Sequence, residues 1–239
     1  MNKEMMYPIK GFNPHTFLDW EGRIASVIYL PGCNFRCPFC HSSALITAPE
    51  SLTTVDYEFI KRFLREKRGW MDGVIIGGGE PTLYENLPAL LKDIKSEGLL
   101  TRLDTNGSNT AVLKKLIEEK LLDCVAMDIK APLDTLMYSN ITASDVDVVT
   151  IKQSIDLLMS ADIDYEFRTT VVPCFLQRKD ILSIAQTIKG AKKYVLQQFS
   201  PKDTLEKSMR DVKPYSADEL KQFVQLANEF VKNCSVRGI

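Results

Sequence analysis

Six short runs of apolar and β-branched residues, at 24–30, 73–76, 100–103, 124–129, 165–172 and 194–199, each give way to a segment with helical period. This alternation constrains the fold more than any other feature. A strand that feeds a helix of about 10 to 15 residues and then another strand builds a parallel sheet. Helices are predicted at 55–68, 87–97, 110–119, 151–160, 180–188 and 217–232. Ser216 with Glu219 makes a capping box for the last of these, and Thr53 with Asp56 a weaker one for the first. The first helix closes on Arg65, Lys67 and Arg68 before Gly69, cations suiting the carbonyl end and glycine a left-handed cap. On charge alone this cluster reads as a solvated helix end. Periodicity does not choose between an open doubly wound sheet and part of a (β/α) barrel. In both, chemistry gathers at the C-terminal ends of the strands.

The chain has 239 residues, enough to bury a core without staples, and reads as a single domain over 1–239. It has a cysteine-bearing loop at 31–42 and a C-terminal helix and strand within 216–239. Thirty basic and 31 acidic side chains leave a net charge of -1, so no global field draws it to nucleic acid or an anionic membrane. The opening MNKEMMYPIK has no apolar core of a secretory leader, and no apolar run reaches the roughly 18 residues of a membrane helix. A cytoplasmic location is expected. In that reducing compartment the six cysteines should be ligands, catalytic groups or small core residues rather than disulfides. Cys33, Cys37 and Cys40 fall within eight residues, whereas Cys124, Cys174 and Cys234 are scattered and read as buried small residues.

The loop after the first strand reads Pro31-Gly32-Cys33-Asn34-Phe35-Arg36-Cys37-Pro38-Phe39-Cys40-His41. Three thiolates so close can converge on one soft metal centre. Zinc needs a fourth ligand, and His41, adjacent to Cys40, is a poor one. Cys37 to His41 also fits the haem-attachment pattern, which leaves Cys33 unused and wants an export signal. A redox pair at Cys37 and Cys40 has no need of Cys33 either. A [4Fe–4S] cluster on all three cysteines leaves one iron without a protein ligand.

Other strand ends carry polar groups too. The second runs into Gly77-Gly78-Gly79-Glu80-Pro81-Thr82, where turn chemistry accounts for the glycines and Pro81 but not for Glu80. The third ends in Asp104-Thr105-Asn106-Gly107-Ser108; Asn-Gly suggests a hairpin, but the helical pattern that follows favours a ligand-facing loop. The fourth ends in Met127-Asp128-Ile129-Lys130-Ala131-Pro132, with Asp128 and Lys130 on one face, where a structural ion pair competes with a ligand contact. On the fifth, Arg168 and Thr170 share a face, and Arg168 reads equally as an ion-paired or edge residue.

The C-x3-C-x-aromatic-C run, with Phe39 at the aromatic position, resembles the radical S-adenosylmethionine superfamily, as does the Gly-Gly-Glu at 78–80. Together with LDTNG and MDIKAP it resembles the activating proteins of glycyl radical enzymes. Ile9-Lys10-Gly11-Phe12, Asp19-Trp20-Glu21-Gly22 and Val236-Arg237-Gly238 extend the likeness along nearly the whole chain. It is most similar to the short activating proteins of anaerobic ribonucleoside-triphosphate reductase. The resemblance implies an α/β fold, a partial (β/α)6 barrel with a parallel sheet and outer helices. It implies a [4Fe–4S] cluster on Cys33, Cys37 and Cys40, whose fourth iron takes the amino and carboxylate groups of S-adenosyl-L-methionine. The activity implied is reductive cleavage of that cofactor and removal of hydrogen from a glycine of a large glycyl radical enzyme, with electrons from a flavodoxin- or ferredoxin-type donor. Phe39, Gly78, Gly79, Glu80, Asp104, Thr105, Asn106, Asp128, Lys130 and Arg168 are the cofactor contacts it implies. Glu80 and the glycines would meet the methionine ammonium group, and Lys130, with Arg168 second, the carboxylate. Residues 197–201 are only loosely similar to the adenine-proximal strand. His41-Ser42 stands where His-Asn is common and Gly77 where Ser is common, departures that bear on the partner more than on the chemistry. No second cysteine-rich insert lies between Cys40 and Gly78 to hold auxiliary clusters. Two alternatives stay open: a small-molecule radical enzyme resembling 7-carboxy-7-deazaguanine synthase, and a non-catalytic electron-transfer or zinc module, which explains neither Glu80 nor the Asp128/Lys130 pair.

Overall fold

A computed structural model describes residues 7–239. Residues 1–6, part of the segment read above for a leader, lie outside the described residues. No helix among the described residues is long and apolar enough to cross a membrane.

The strands are β1 (Gly11–Thr16), β2 (Ala25–Leu30), β3 (Gly73–Gly78), β4 (Leu100–Thr105), β5 (Cys124–Asp128), β6 (Asp164–Val171), β7 (Tyr194–Gln198) and β8 (Cys234–Arg237). The helices are α1 (Ser43–Thr47), α2 (Tyr57–Glu66), α3 (Leu87–Ser96), α4 (Thr110–Glu118), α5 (Thr135–Thr142), α6 (Val148–Ser160), α7 (Arg178–Thr187) and α8 (Ala217–Ala227). The strands follow one another in the sheet in chain order, with β1 and β8 at the two ends, so the sheet is an open run rather than a closed ring. It is the mostly parallel α/β sheet that the alternation predicts: β2 with β3, β3 with β4, β6 with β7 and β7 with β8 all pair parallel.

Contacts divide the chain into two compact units. The first comprises residues 7–33, Ala44–Thr105 and Ala111–Val125. Its strands register as Ala25, Gly73 and Leu100 side by side. Trp20, Ala25, Val27, Ile75 and Cys124 form a core cluster within it. α2 turns Tyr57, Ile60 and Leu64 inward and α3 turns Leu87, Leu90, Leu91 and Ile94; each such side chain contributes roughly 1.5–3 kcal/mol on burial. The second unit comprises Asn34–Ser43, Asn106–Thr110 and Ala126–Ile239. There Arg168, Val195 and Ser235 lie side by side on β6, β7 and β8, and Ile151, Phe167, Ile184, Tyr194 and Leu220 are fully buried or nearly so.

Several expectations need correction. β1 was not predicted: Gly11, Asn13 and Pro14 are poor strand residues, and Pro14 is tolerated because the strand is an edge whose register shifts between Asn13 and Thr16. It pairs antiparallel with β2. α1 and α5 were missed as well, being short and rich in Ser, Thr and Asn. α5 is fixed by Asp134, whose side chain accepts from the Met137 N–H, and by Ala143 in the left-handed region at φ 46°. The last helix stops at Ala227 rather than 232. Its Ser216/Glu219 capping box is present, whereas the cap of α2 is Asp56 and not Thr53.

The basic end of α2 is no mere solvated terminus. Arg65 Nε donates to Glu97 Oε1 at 2.9 Å and Arg68 Nη2 to Glu97 Oε2, on a carboxylate only 4% exposed. Burial works against the charge of Glu97, but the two arginines outweigh it and hold the carboxyl below its ordinary range. Cys124 and Cys234 are buried as expected; Cys174, on the turn after β6, is exposed.

Candidate functional site

In the first unit the approach to the cysteine loop is fastened by β3. Leu30 and Gly78 are the last paired residues of β2 and β3, and the pairing is then extended: Gly79 N–H donates to Leu30 O and Glu80 N–H to Gly32 O, both at 2.8 Å. The two segments run so close that a Cβ on Gly78 would strike the Leu30 backbone and one on Gly79 the Gly32 carbonyl. Gly78 also has φ +110°, which only glycine takes without strain. On the other side Gly32 N–H donates to Leu45 O at 2.8 Å, and the Tyr84 hydroxyl donates to Pro31 O. The residues that lead into Cys33 are thus held by β3, by α1 and by Tyr84.

Glu80 is completely buried. Its Oε1 accepts from Thr82 N–H at 3.1 Å, Thr82 Oγ1 at 2.6 Å and Thr105 Oγ1 at 2.7 Å. Pro81 starts a short 3-10 turn right after it, so the carboxylate is set by the turn below and by the end of β4 beside it. Asp104 accepts from Arg102 Nε at 2.8 Å, and Arg102 is itself buried.

In the second unit the segment from Asn34 is held along its length. The Asn34 side chain accepts from Asn106 Nδ2 and donates to Ser108 Oγ, each at 2.8 Å. Arg36 N–H donates to Thr142 O at 2.9 Å, Phe35 packs edge-on to Tyr138, and Pro38 O accepts from Glu206 N–H at 2.9 Å. Cys40 N–H donates to Cys37 O at 3.0 Å, closing a turn between the two thiols. Phe39 is buried with its ring centroid 6.0 Å from that of Phe175.

At the end of β5, Lys130 Nζ donates to Asp128 Oδ2 and Arg168 Nε to Asp128 Oδ1, both at 2.9 Å. Burial alone would push the Asp128 carboxyl up, but Arg168 and Lys130 together hold it down, to about 2. The Lys130 ammonium is shifted upward: burial opposes its charge, and Asp128 first, then Cys37, overcome that. Burial also pushes the Cys40 thiol up, against the Ser42 backbone and Lys130.

The residues singled out in the sequence therefore lie as follows. Cys33, Gly78, Gly79, Glu80, Asp104 and Thr105 belong to the first unit; Cys37, Phe39, Cys40, Asn106, Asp128, Lys130 and Arg168 belong to the second. Glu80 meets Thr105, and Asp128 meets both Lys130 and Arg168, so the ion pairs weighed above are present. Asn34, Thr82 and Tyr138, whose hydroxyl accepts from Lys130 N–H at 3.1 Å, were not singled out. Thr82 carried a signal, a hydroxyl two residues after an acidic side chain, and Asn34 another, an amide beside a cysteine.

All six cysteines are free thiols, and among the described residues no three of His, Cys, Asp and Glu gather at the spacing of a single ion. A [4Fe–4S] cubane asks for no such gathering, because each thiolate binds its own iron. The donor set, three thiols within eight residues of sequence, suits the chemistry of that group.

A sequence model of the radical SAM superfamily matches residues 27–188. A protein of Methanocaldococcus jannaschii named as a glycyl-radical enzyme activating enzyme is 30% identical over 97% of this chain and 96% of its own length. The pyruvate formate-lyase-activating enzyme of Clostridium pasteurianum is 28% identical over 76% of each. Among solved structures, SuiB of Streptococcus suis bound to S-adenosylmethionine matches 89% of this chain with a TM-score of 0.67 at 15% identity, a likeness of fold. This chain spans about half the length of SuiB, 52%.

Proposed function

The chain belongs to the radical SAM superfamily, and from that premise we propose that it activates an anaerobic ribonucleoside-triphosphate reductase, taking hydrogen from a glycine of that protein. At the coarser level it is an activating enzyme of glycyl radical enzymes, working with a [4Fe–4S] cluster and S-adenosyl-L-methionine on a protein substrate. When bound, the cluster supplies the electron that cleaves the sulfonium of S-adenosyl-L-methionine to methionine and a 5′-deoxyadenosyl radical.

The chain's own residues hold and orient. Cys33, Cys37 and Cys40 are the proposed ligands. The observation that carries the reading is the fastening of Gly79 and Glu80 to Leu30 and Gly32, just ahead of Cys33. It brings the backbone of a buried, hydrogen-bonded carboxylate to the entry of a three-thiol loop, an arrangement that a structural turn does not require. Glu80, oriented by Thr82 and Thr105, is the proposed partner of the methionine ammonium. Lys130 and Arg168 share one carboxylate, so the group as a whole is cationic and suits the cofactor's carboxylate. Asp104, Thr105 and Asn106 are assigned to the ribose side, and Phe39 to the wall beside the cluster. A flavodoxin- or ferredoxin-type protein is the proposed electron donor, and the cytoplasm the proposed location.

Anaerobic reconstitution tests this. The protein is expected to bind about four irons and four sulfides per chain, to form 5′-deoxyadenosine when reduced with S-adenosyl-L-methionine, and to raise a glycyl radical signal on the reductase. Zinc in place of iron, or no cleavage, overturns the chemistry; cleavage with no radical on the reductase but one on another glycyl radical enzyme overturns the partner.

A further inference from the structure

We propose that Asn34 is a positioning residue that couples the cysteine loop to the loop after β4, so that a nucleoside held at Asn106 strengthens the grip of the cysteines on their cluster. The inference rests on the reading above for the cluster and for Asn106. It adds a residue that neither the motif nor the ligand set includes.

Asn34 is bonded through the chain to Cys33 and lies three residues before Cys37. Its amide works in both directions: Oδ1 accepts from Asn106 Nδ2 and Nδ2 donates to Ser108 Oγ, each at 2.8 Å. Asn106 Oδ1 in turn accepts from Ser108 N–H at 2.9 Å, which closes the three residues into one hydrogen-bonded group. The partners are 72 and 74 residues from Asn34, and no helix or strand spans the join. The far side of the group is anchored. Ser154 Oγ, on α6, donates to Gly107 O at 2.7 Å, and a Cβ on Gly107, at φ +76°, would strike the Met127 side chain. The Asn34 amide thus ties the start of the cysteine loop to an anchored turn, alongside the Arg36–Thr142 and Pro38–Glu206 bonds farther along. Any ligand that orders Asn106 restricts Asn34, and with it the cysteines on either side. By thermodynamic reciprocity, a loop ordered by its cluster favours the nucleoside equally.

The test separates this coupling from direct chelation by using 5′-methylthioadenosine, which has the adenosine half of the cofactor but neither the amino nor the carboxylate group. The part of its effect on the cluster that is lost with the Asn34 amide passes through the protein. Reconstituted protein is mixed anaerobically with an iron chelator, and loss of cluster absorbance is timed with and without the nucleoside. In the wild type the nucleoside is expected to slow iron loss about fivefold, the ratio that corresponds to the net worth of roughly one hydrogen bond. Asn34→Ala is expected to lose this slowing and Ser108→Ala to lose part of it. Asn34→Asp is expected to restore it, because two oxygens can accept from Asn106 and from a rotated Ser108 hydroxyl. The ratio is read within each variant, so general weakening of the loop does not move it. Equal slowing in Asn34→Ala and wild type overturns the coupling, as does no slowing in a wild type shown by equilibrium dialysis to bind the nucleoside. A wild type that takes up no iron overturns the functional reading, and one that takes up iron but binds no nucleoside overturns the coupling alone.

Discussion

Arg168 reaches back forty residues to Asp128, its Nε donating to Oδ1 at 2.9 Å, and so sets beside β5 a second cation that shares the carboxylate with Lys130. Two cations on one partly buried carboxylate make the pairing asymmetric. Removing the anion takes the shared carboxylate from both cations, whereas removing one cation leaves a pair. Asp128→Ala is therefore expected to cost the cluster-free protein about 3–5 kcal/mol, and Lys130→Ala clearly less, by urea denaturation monitored by circular dichroism. Equal costs would contradict this account of the group.

Glu97 gives a pH dependence whose sign is fixed. Its folded carboxyl lies below the ordinary 4.5, so the unfolded chain binds the proton more readily. The stabilisation is full above pH 4.5 and is lost as the pH falls through that value toward the folded one. Denaturant midpoints at about pH 6 and about pH 3 should therefore diverge more in the wild type than in Arg65→Ala/Arg68→Ala. A double variant with the wild-type pH slope would show that the arginines do not set the carboxyl.

Two glycines of different surroundings separate close approach from backbone freedom. A Cβ on Gly79 meets the Gly32 carbonyl, while at Gly98, with φ +78°, nothing lies within 4 Å. Gly79→Ala is expected to cost about 3 kcal/mol by forcing β2 and β3 apart at their ends, and to lower the iron bound on reconstitution. Gly98→Ala should cost about 1 kcal/mol, from backbone strain alone, and leave iron uptake unchanged. Full iron uptake by Gly79→Ala would remove the fastening from the account of the site.

The cysteines sort by chemistry. Iron content should fall sharply in Cys33→Ala, Cys37→Ala or Cys40→Ala and persist in Cys124→Ala, Cys174→Ala and Cys234→Ala. In the folded, reconstituted protein a maleimide should label Cys174, which is exposed, before Cys124 or Cys234, which are buried. Peptide mapping by mass spectrometry reads the order, and early labelling of Cys234 would contradict its burial.

Local pattern carried much of this site. The alternation placed β2 to β7, and with them Gly78, Gly79, Glu80, Asp104, Thr105, Asn106, Asp128 and Lys130 at or beyond strand ends, because strand period and turn residues are local properties. The shared face of Asp128 and Lys130 followed from the two-residue repeat. What stayed hidden was set by pairing at a distance. Arg168 finds Asp128, Arg65 and Arg68 find Glu97, and Asn34 finds Asn106 only once the sheet has brought remote segments together. β1 was hidden because an edge strand tolerates a proline that a central strand does not. Cys174 was misjudged because a thiol in an apolar stretch of sequence is buried only if the turn that carries it is.

The segment Asn34–Ser43 belongs with residues translated long after it. Its backbone and side-chain partners include Asn106, Ser108, Thr142 and Glu206. A ribosome adding roughly 5–20 residues per second needs on the order of ten seconds to pass from Cys40 to Glu206. Through that interval Cys37 and Cys40 have left the ribosome's decoding centre but lack the contacts that fix them. The fixed geometry of Cys37 and Cys40, two of the proposed cluster ligands, is therefore complete only once the chain has been made as far as Glu206.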